Sequence, residues 1–281
     1  MSLLQNTAKF CRLGATAVRS MSSGSDLVLV DVNSKTGVAT VTMNRPPVNS
    51  LNTEHLDMLH RTFIRLENEK CRGMILTSSS PTVFSAGLDI REMYKPELEK
   101  ARKFWRTLQD MWLKLYSSPY PTVAAINGHA PAGGCLLSLS CEYRVIVPKV
   151  RMGLNETQLG IVAPQWFQDC MRNAIGEREA EKALIAGRMF TSEEALKVGL
   201  VDEIAQNKEE CIQKAEAFLA SQANLPMLAR KTVKLGFRHQ TLSRLLTGRE
   251  ADTKIFIDYI FQPKVQKGLE MYLQSLSKKA A

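Results

Sequence analysis

An α/β core followed by a C-terminal helical extension is the fold class that this sequence predicts. Three observations carry that expectation. Short β-branched apolar runs alternate with segments of helical period through the first 150 residues. From about residue 165 onward the helical period dominates, punctuated by Gly187, Gly199 and Pro226. The 281 residues are 44% apolar and 23% charged, the composition of a chain that buries a core. No apolar run approaches the ~18 residues of a membrane-spanning helix.

The elements follow in order. Leu27–Val32 and Val38–Met43 are β-rich runs separated by Asn33, Ser34, Lys35, Thr36 and Gly37, which reads as a hairpin. Arg45-Pro46-Pro47 breaks the second strand. Asn52 or Thr53 can cap a helix from about Glu54, with Leu56, Leu59, Phe63 and Leu66 on one face. Gly73–Thr77 is a short buried strand, residues 80–93 are a loop turning into a helix, and residues 97–117 are helical. Thr122–Ile126 is another buried strand, and Cys135–Ser140 is an apolar helix behind Gly133 and Gly134. Tyr143–Val147 follows as a strand. The remaining helices are expected at about 165–175, 177–186, 192–198, 208–222, 226–237, 242–261 and 264–277.

The formal charge of +9 is concentrated at the two ends: residues 1–25 carry +3, residues 226–281 carry +7, and the stretch between carries −1. Residues 1–25 are basic, Ser-rich and acid-free, and Leu3, Leu4, Phe10 and Leu13 alternate with Lys9 and Arg12. That is the composition of a mitochondrial transit peptide, and it lacks the continuous apolar core of a secretory signal. The fold is therefore expected to begin near Asp26, in a protein of the mitochondrial matrix. The six cysteines form no C-x-x-C pair and the four histidines form no ligand cluster, so neither a disulfide framework nor a metal site is expected.

Three segments can carry chemistry. In Phe84-Ser85-Ala86-Gly87-Leu88-Asp89-Ile90, Gly87 permits close backbone approach to a ligand and Asp89 can cap a helix start; a simple capped junction reads the same way. In Ala125–Cys135, a buried strand delivers a loop into a Gly-Gly helix start. Free N–H groups there suit an oxygen that acquires negative charge, while close helix packing is the plainer explanation. In Gly153–Pro164, Glu156 stands alone among apolar and amide residues. In a water-poor site it would have a raised pKa and carry protons; in an exposed turn it would do nothing.

Taken together, these segments resemble the crotonase (enoyl-CoA hydratase/isomerase) superfamily from about Val28 to Ile204. Residues 43–51 (MNRPPVNSL) look like the family's first-strand exit loop, FSAGLDI and INGHAPAGGC like its two oxyanion-hole loops, and Ser192–Asp202 like its late element. The resemblance implies a crotonase (ClpP-like) spiral ββα core over residues 26–200 and a helical region, residues 201–281, that mediates trimerisation and covers a neighbour's site. It implies an acyl-CoA thioester substrate and no separate cofactor, coenzyme A being part of the substrate. Backbone N–H groups of Leu88 and Gly133 would hold the thioester oxygen, Glu156 would be the catalytic acid/base, and Ala86, Gly87, Leu88, Asp89, Ile90, Gly133 and Asn155 would contact substrate.

Hydratases of the superfamily use a second glutamate where this chain has Leu136. One carboxylate suffices to move a proton from C2 to C4, whereas adding water takes two. The resemblance therefore points to the isomerase branch, with a hydratase as the alternative. Leu136, Leu137, Ile161, Trp166 and Phe167 are candidates for an acyl pocket. Arg45, Arg91 and Lys95 are candidates for CoA phosphates, and Phe256, Tyr259, Phe261 and Leu269 for subunit contacts. Glu142 is expected to pair with a cation such as Arg144. Arg230, Lys231, Lys234 and Arg238 are the one cluster that suits nucleic acid, but no recognition motif accompanies it, so no nucleic-acid partner is expected.

Overall fold

The computed structural model describes residues 27–280; the expected transit segment and its cleavage site lie outside them. Strands β1 (Val28–Val32) and β2 (Val38–Met43) pair antiparallel as the expected hairpin, with Gly37 at φ 71° closing the turn. β3 (Gly73–Ser78), β4 (Thr122–Ile126), β6 (Tyr143–Ile146) and β9 (Glu203–Ile204) extend this sheet in parallel, in the order β1-β2-β3-β4-β6-β9. Every residue of β3 and β4 is buried, as parallel strands covered on both faces require.

Helix α1 (Thr53–Asn68) starts where the Asn52 side chain accepts the His55 N–H, and α2 (Leu98–Tyr116) packs against it. A second, three-stranded sheet joins β5 (Ala130–Pro131), β7 (Arg151–Gly153) and β8 (Phe190–Thr191). Helix α3 (Gly133–Ser140) leaves directly from β5 and is wholly buried. Beyond it come α4 (Gln165–Ile175), α5 (Glu177–Ala186), α6 (Ser192–Val198), α7 (Lys208–Gln222), α8 (Met227–Ile260) and α9 (Pro263–Ala280). A capping box of Thr191 and Glu194 starts α6.

Several expectations are corrected here. The core does not end at residue 200: β9 forms the sheet edge beside β6, and α7 packs on β3, β4 and β6, so the helical extension begins with α8. The two helices expected at 226–237 and 242–261 are one continuous α8 of 34 residues. Glu142 pairs with Arg230 and Lys234, not with Arg144, which instead lies 3.5 Å from Asp202.

The basic cluster of the tail is mostly turned inward. Lys234 Nζ lies 2.6 Å from Glu142 and donates to the Ser118 carbonyl at 2.7 Å and the Tyr120 carbonyl at 3.1 Å. Burial pulls its pKa down to about 8 despite the neighbouring carboxylate. Arg238 donates to the Tyr116, Ser140 and Cys141 carbonyls. These cations therefore fasten α8 to α2 and α3 rather than presenting a surface for a polyanion or for CoA phosphates.

Phe256 and Leu269, expected at subunit contacts, are buried within the chain; Phe256 stacks on Trp105 with ring centroids 3.8 Å apart. Tyr259 donates to the Gly160 carbonyl at 3.1 Å, while Phe261 remains exposed. Among the described residues, no helix is long and apolar enough to cross a membrane.

Candidate active site

The site forms where the two oxyanion-type loops and the Glu156 segment converge, and backbone pairing brings them there. β5 and β7 run parallel with Pro131 opposite Gly153, and the Ala132 N–H donates to the Gly153 carbonyl at 2.8 Å. The chain leaving β5 thus enters α3 beside the chain leaving β7, which reaches Glu156 three residues later. Ala132 adopts φ 48° and ψ −120°, a conformation that disfavours any residue with a Cβ. This turn directs Gly133, the first residue of α3, so that its N–H lies at the helix's positive end.

The other donor comes from the 84–90 loop. Leu51 and Leu88 form a parallel bridge in which the Leu51 N–H donates to the Gly87 carbonyl at 2.8 Å and the Asp89 N–H to the Leu51 carbonyl at 3.1 Å. In that geometry the flanking peptides are bound and the N–H of Leu88 itself points the other way. The two nitrogens flank one small space. A Cβ on Gly133 would stand 3.2 Å from the Leu88 nitrogen, and one on Gly87 would stand 3.0 Å from the Gly133 nitrogen. A Cβ on Gly134 would lie 2.3 Å from the Ser85 carbonyl oxygen, so only glycine lets α3 approach this loop.

Glu156 opens a 3-10 turn (Glu156–Leu159) that ends at Gly160 in the left-handed conformation. It is 5% exposed, and neither carboxylate oxygen has a hydrogen-bond partner; the buried Asn155 Oδ1 is also unpartnered. Burial lifts the Glu156 pKa to about 7. Its charge is felt at Cys135, on the first turns of α3, whose thiol is already driven up by burial. A carboxyl that neither ion pair nor hydrogen bond satisfies is suited to exchanging a proton near neutral pH rather than to holding the fold together.

The other expected residues divide. Ala86, Leu88, Ile90 and Asn155 are half-buried at the site's edge, whereas Gly87 and Gly133 are buried within it. Asp89 is committed: its carboxylate accepts the Arg91 N–H at 3.1 Å and lies 3.1 Å from Arg45. Arg45, expected as a phosphate ligand, is held inward by that pair and by the Ser50 carbonyl and hydroxyl. Arg91 and Lys95 are exposed. Leu136, where the resemblance would put a hydratase's second glutamate, is fully buried in the core, as is Leu137. Trp166 and Phe167 belong to an aromatic cluster, with Trp166 4.8 Å from Trp112 and 4.5 Å from Phe167 between centroids; Ile161 is half-buried beside the Glu156 turn.

The α8–α9 corner packs beside this chain's own site. Gln266 accepts the Lys95 N–H at 2.8 Å and donates to the Met93 carbonyl at 2.9 Å, just beyond the Leu88 loop. On the other side, α9 packs against the turn that carries Glu156. Among the described residues no cluster of three or more His, Cys, Asp or Glu is arranged to hold a metal ion.

The profile of the Enoyl-CoA hydratase/isomerase family matches residues 33–279. Mitochondrial enoyl-CoA delta isomerase 1 of Homo sapiens is 45% identical over 256 residues, covering 90% of this chain and 84% of the human protein. Its Rattus norvegicus counterpart is 42% identical over 281 residues, covering 99% and 96%. The crystal structure of human mitochondrial delta3-delta2-enoyl-CoA isomerase aligns with a TM-score of 0.88 at 44% identity, covering 91% of this chain and all of the human one. An enoyl-CoA hydratase from Bacillus halodurans aligns at 0.78 with 25% identity, covering 87% and 99%. With the loops, the sheets and nearly the full length in agreement, the chain belongs to the enoyl-CoA hydratase/isomerase family.

Proposed function

We propose that this protein isomerises 3-enoyl-CoA to trans-2-enoyl-CoA, serving the mitochondrial β-oxidation of unsaturated fatty acids. The observation that carries the reading is the buried carboxylate of Glu156, unpartnered and with a pKa near 7, on the chain that leaves β7 beside the Gly133 helix start, with apolar Leu136 buried on that helix. The 45% identity to the human isomerase supports it.

The thioester oxygen of the substrate accepts from the N–H groups of Leu88 and Gly133. Glu156 removes a proton from C2, and charge flows onto that oxygen, where the two donors bind the dienolate more strongly than the ground state. The now neutral carboxyl returns the proton to C4. A pKa near 7 makes the group competent both as base and as acid. Ala86, Gly87, Asp89, Ile90 and Asn155 border the path of the substrate, Asp89 acting through its hold on Arg45 and the loop. The enzyme needs no cofactor, since CoA arrives with the acyl group.

Neither alternative gains an observation. A hydratase needs a second carboxylate, and Glu142 lies beyond the far end of α3, bound to Arg230 and Lys234. A nucleic-acid binder needs the cations that α8 uses internally. The basic, acid-free residues 1–25 and the mitochondrial relatives support import into the matrix. A homotrimer is proposed from the family resemblance, with the exposed Phe261 available to a subunit contact. The test is to give purified protein 3-enoyl-CoA and 2-enoyl-CoA of several chain lengths. Double-bond migration without water addition is expected, and hydration at a comparable rate would overturn the reading.

A further inference from the structure

Asn49 lies outside the segments that touch substrate, yet each of its polar atoms is bonded. It is 1% exposed and holds φ 51° in the loop after β2. Its Oδ1 accepts the Arg45 N–H at 2.7 Å, and its own N–H donates to the Arg45 carbonyl at 2.8 Å. Its Nδ2 donates to Ser78 Oγ at 2.7 Å and to the Phe84 carbonyl at 3.1 Å. Its carbonyl accepts the Ser85 hydroxyl at 2.7 Å, and that hydroxyl oxygen in turn accepts the Gly87 N–H at 3.2 Å.

Each bond of Asn49 to the 84–87 segment lands upstream of Leu88, and neighbours of Asn49 complete the frame. The Val48 carbonyl accepts the Ala86 N–H at 2.9 Å, and Leu51 binds the peptides on either side of Leu88. The loop that delivers one oxyanion donor is thus laid along the 45–51 loop as along a template. Asn49 fixes the register of that loop with one side-chain bond, to the Phe84 carbonyl, and with its backbone carbonyl, which receives the Ser85 hydroxyl. Aspartate would lack the Nδ2 donor and would set a carboxylate against the Phe84 carbonyl. Glycine would keep the positive φ but make none of the side-chain bonds.

We infer that Asn49 is a positioning residue for the oxyanion hole, setting the direction of the Leu88 N–H through Phe84, Ser85 and Gly87. The inference rests on the isomerase reading given above. Near-attack geometry is sensitive at this scale: a misplacement of about 1 Å costs ~10²-fold in rate.

The experiment compares wild type, Asn49→Gly and Ser85→Ala. Asn49→Gly separates templating from turn formation because glycine keeps the turn at no steric penalty. Ser85→Ala cuts the relay from the Asn49 backbone carbonyl to Gly87, the part of the template that Asn49→Gly leaves in place, and it reads the templating of Leu88 if the glycine variant does not fold. Two readouts are taken on folded protein: the split of kcat from KM with 3-enoyl-CoA, and the red shift of a bound 2,4-dienoyl-CoA, whose conjugated thioester reports polarisation by the oxyanion donors.

Both variants are expected to lose ~10–100-fold in kcat with KM little changed, and to lose most of the red shift. Folded variants with wild-type kcat and red shift would overturn the inference, as would a wild-type enzyme that turns over without polarising the dienoyl thioester. Glu156→Gln keeps the two readings apart: it should abolish turnover and retain the red shift. A wild-type protein that neither isomerises 3-enoyl-CoA nor shifts the band would instead sink the isomerase reading itself.

Discussion

The buried carboxyl of Glu156 should make the enzyme less stable than its own inactive variant, and increasingly so as pH rises. The perturbation is Glu156→Gln, an isostere that cannot ionise. In the folded chain the pKa of Glu156 is raised from 4.5 to about 7 by burial. Below pH ~4.5 the group is protonated in both states, and ionisation has no influence on stability. Between ~4.5 and ~7 the unfolded chain releases the proton while the folded chain holds it, so stability falls with rising pH. Above ~7 the loss is complete, and the gap corresponds to ~3 kcal/mol at ~1.4 kcal/mol per tenfold.

The glutamine amide is as unpartnered as the protonated acid, so that constant burden cancels when two pH values are compared. Between pH ~5 and ~8 the stability advantage of Glu156→Gln should grow by ~2–3 kcal/mol, or ~5–10 °C in Tm for a chain of this size. Denaturation of both proteins at the two pH values reads the difference directly, and turnover of 3-enoyl-CoA by the variant is measured alongside. An advantage that does not change with pH would refute the account of Glu156 as a desolvated, unpaired carboxyl. Wild-type-like turnover would refute its role as the proton carrier.

The remaining predictions follow from the same geometry. The kcat/KM of the wild type should rise with pH through an apparent pKa near 7, since the base must be ionised in the free enzyme; a pH-rate profile flat from pH ~5 to ~9 would contradict this. Gly134→Ala sets a methyl 2.3 Å from the Ser85 carbonyl oxygen, forcing α3 and the Leu88 loop apart, and kcat should fall ~10²-fold while the circular dichroism stays native-like. Lys234→Met leaves Glu142 buried with one cation fewer and removes the donor to Ser118 and Tyr120; unfolding in urea should show a loss of ~3–5 kcal/mol, with the kcat of the folded enzyme little changed.

How far the sequence alone could lead is seen in particular elements. β-branched runs bounded by Gly and Pro placed β1 to β4, because these strands are apolar for reasons visible locally. Glu156 was legible because a lone acid among apolar and amide residues is itself a local anomaly. The two-residue strands β5 and β8 are too short to carry any period, so the second sheet was hidden. The apparent break in α8 near residues 238–241 has a physical origin. Arg238 and Thr241 point into the protein, one donating to three carbonyls and the other accepting from Asn173, so polar residues occupy the helix face where a period search looks for apolar ones.

The same limit applies to Glu142 and Asn49. The partners of Glu142 lie 88 and 92 positions downstream, and the Phe84 carbonyl that Asn49 reaches is 35 positions away. A charge or an amide declares its type in sequence but not its distant partner. The strained Ala132 was invisible for a different reason: alanine carries no signal for a positive φ, and it is the pairing of β5 with β7 that holds it there.

Under the proposed mechanism, Arg238 gives the basic tail a part in the chemistry that its overall charge does not suggest. Its guanidinium binds the Ser140 and Cys141 carbonyls, at the C-terminal end of the helix whose first residue is Gly133. A fixed cation sits at the negative pole of α3, and the positive pole is the end that the proposed mechanism assigns to the thioester oxygen. The helix is thereby poled along one axis before any substrate arrives. Its last carbonyls are already engaged by a cation at the far end, and under the proposed mechanism the amides at the near end serve the dienolate.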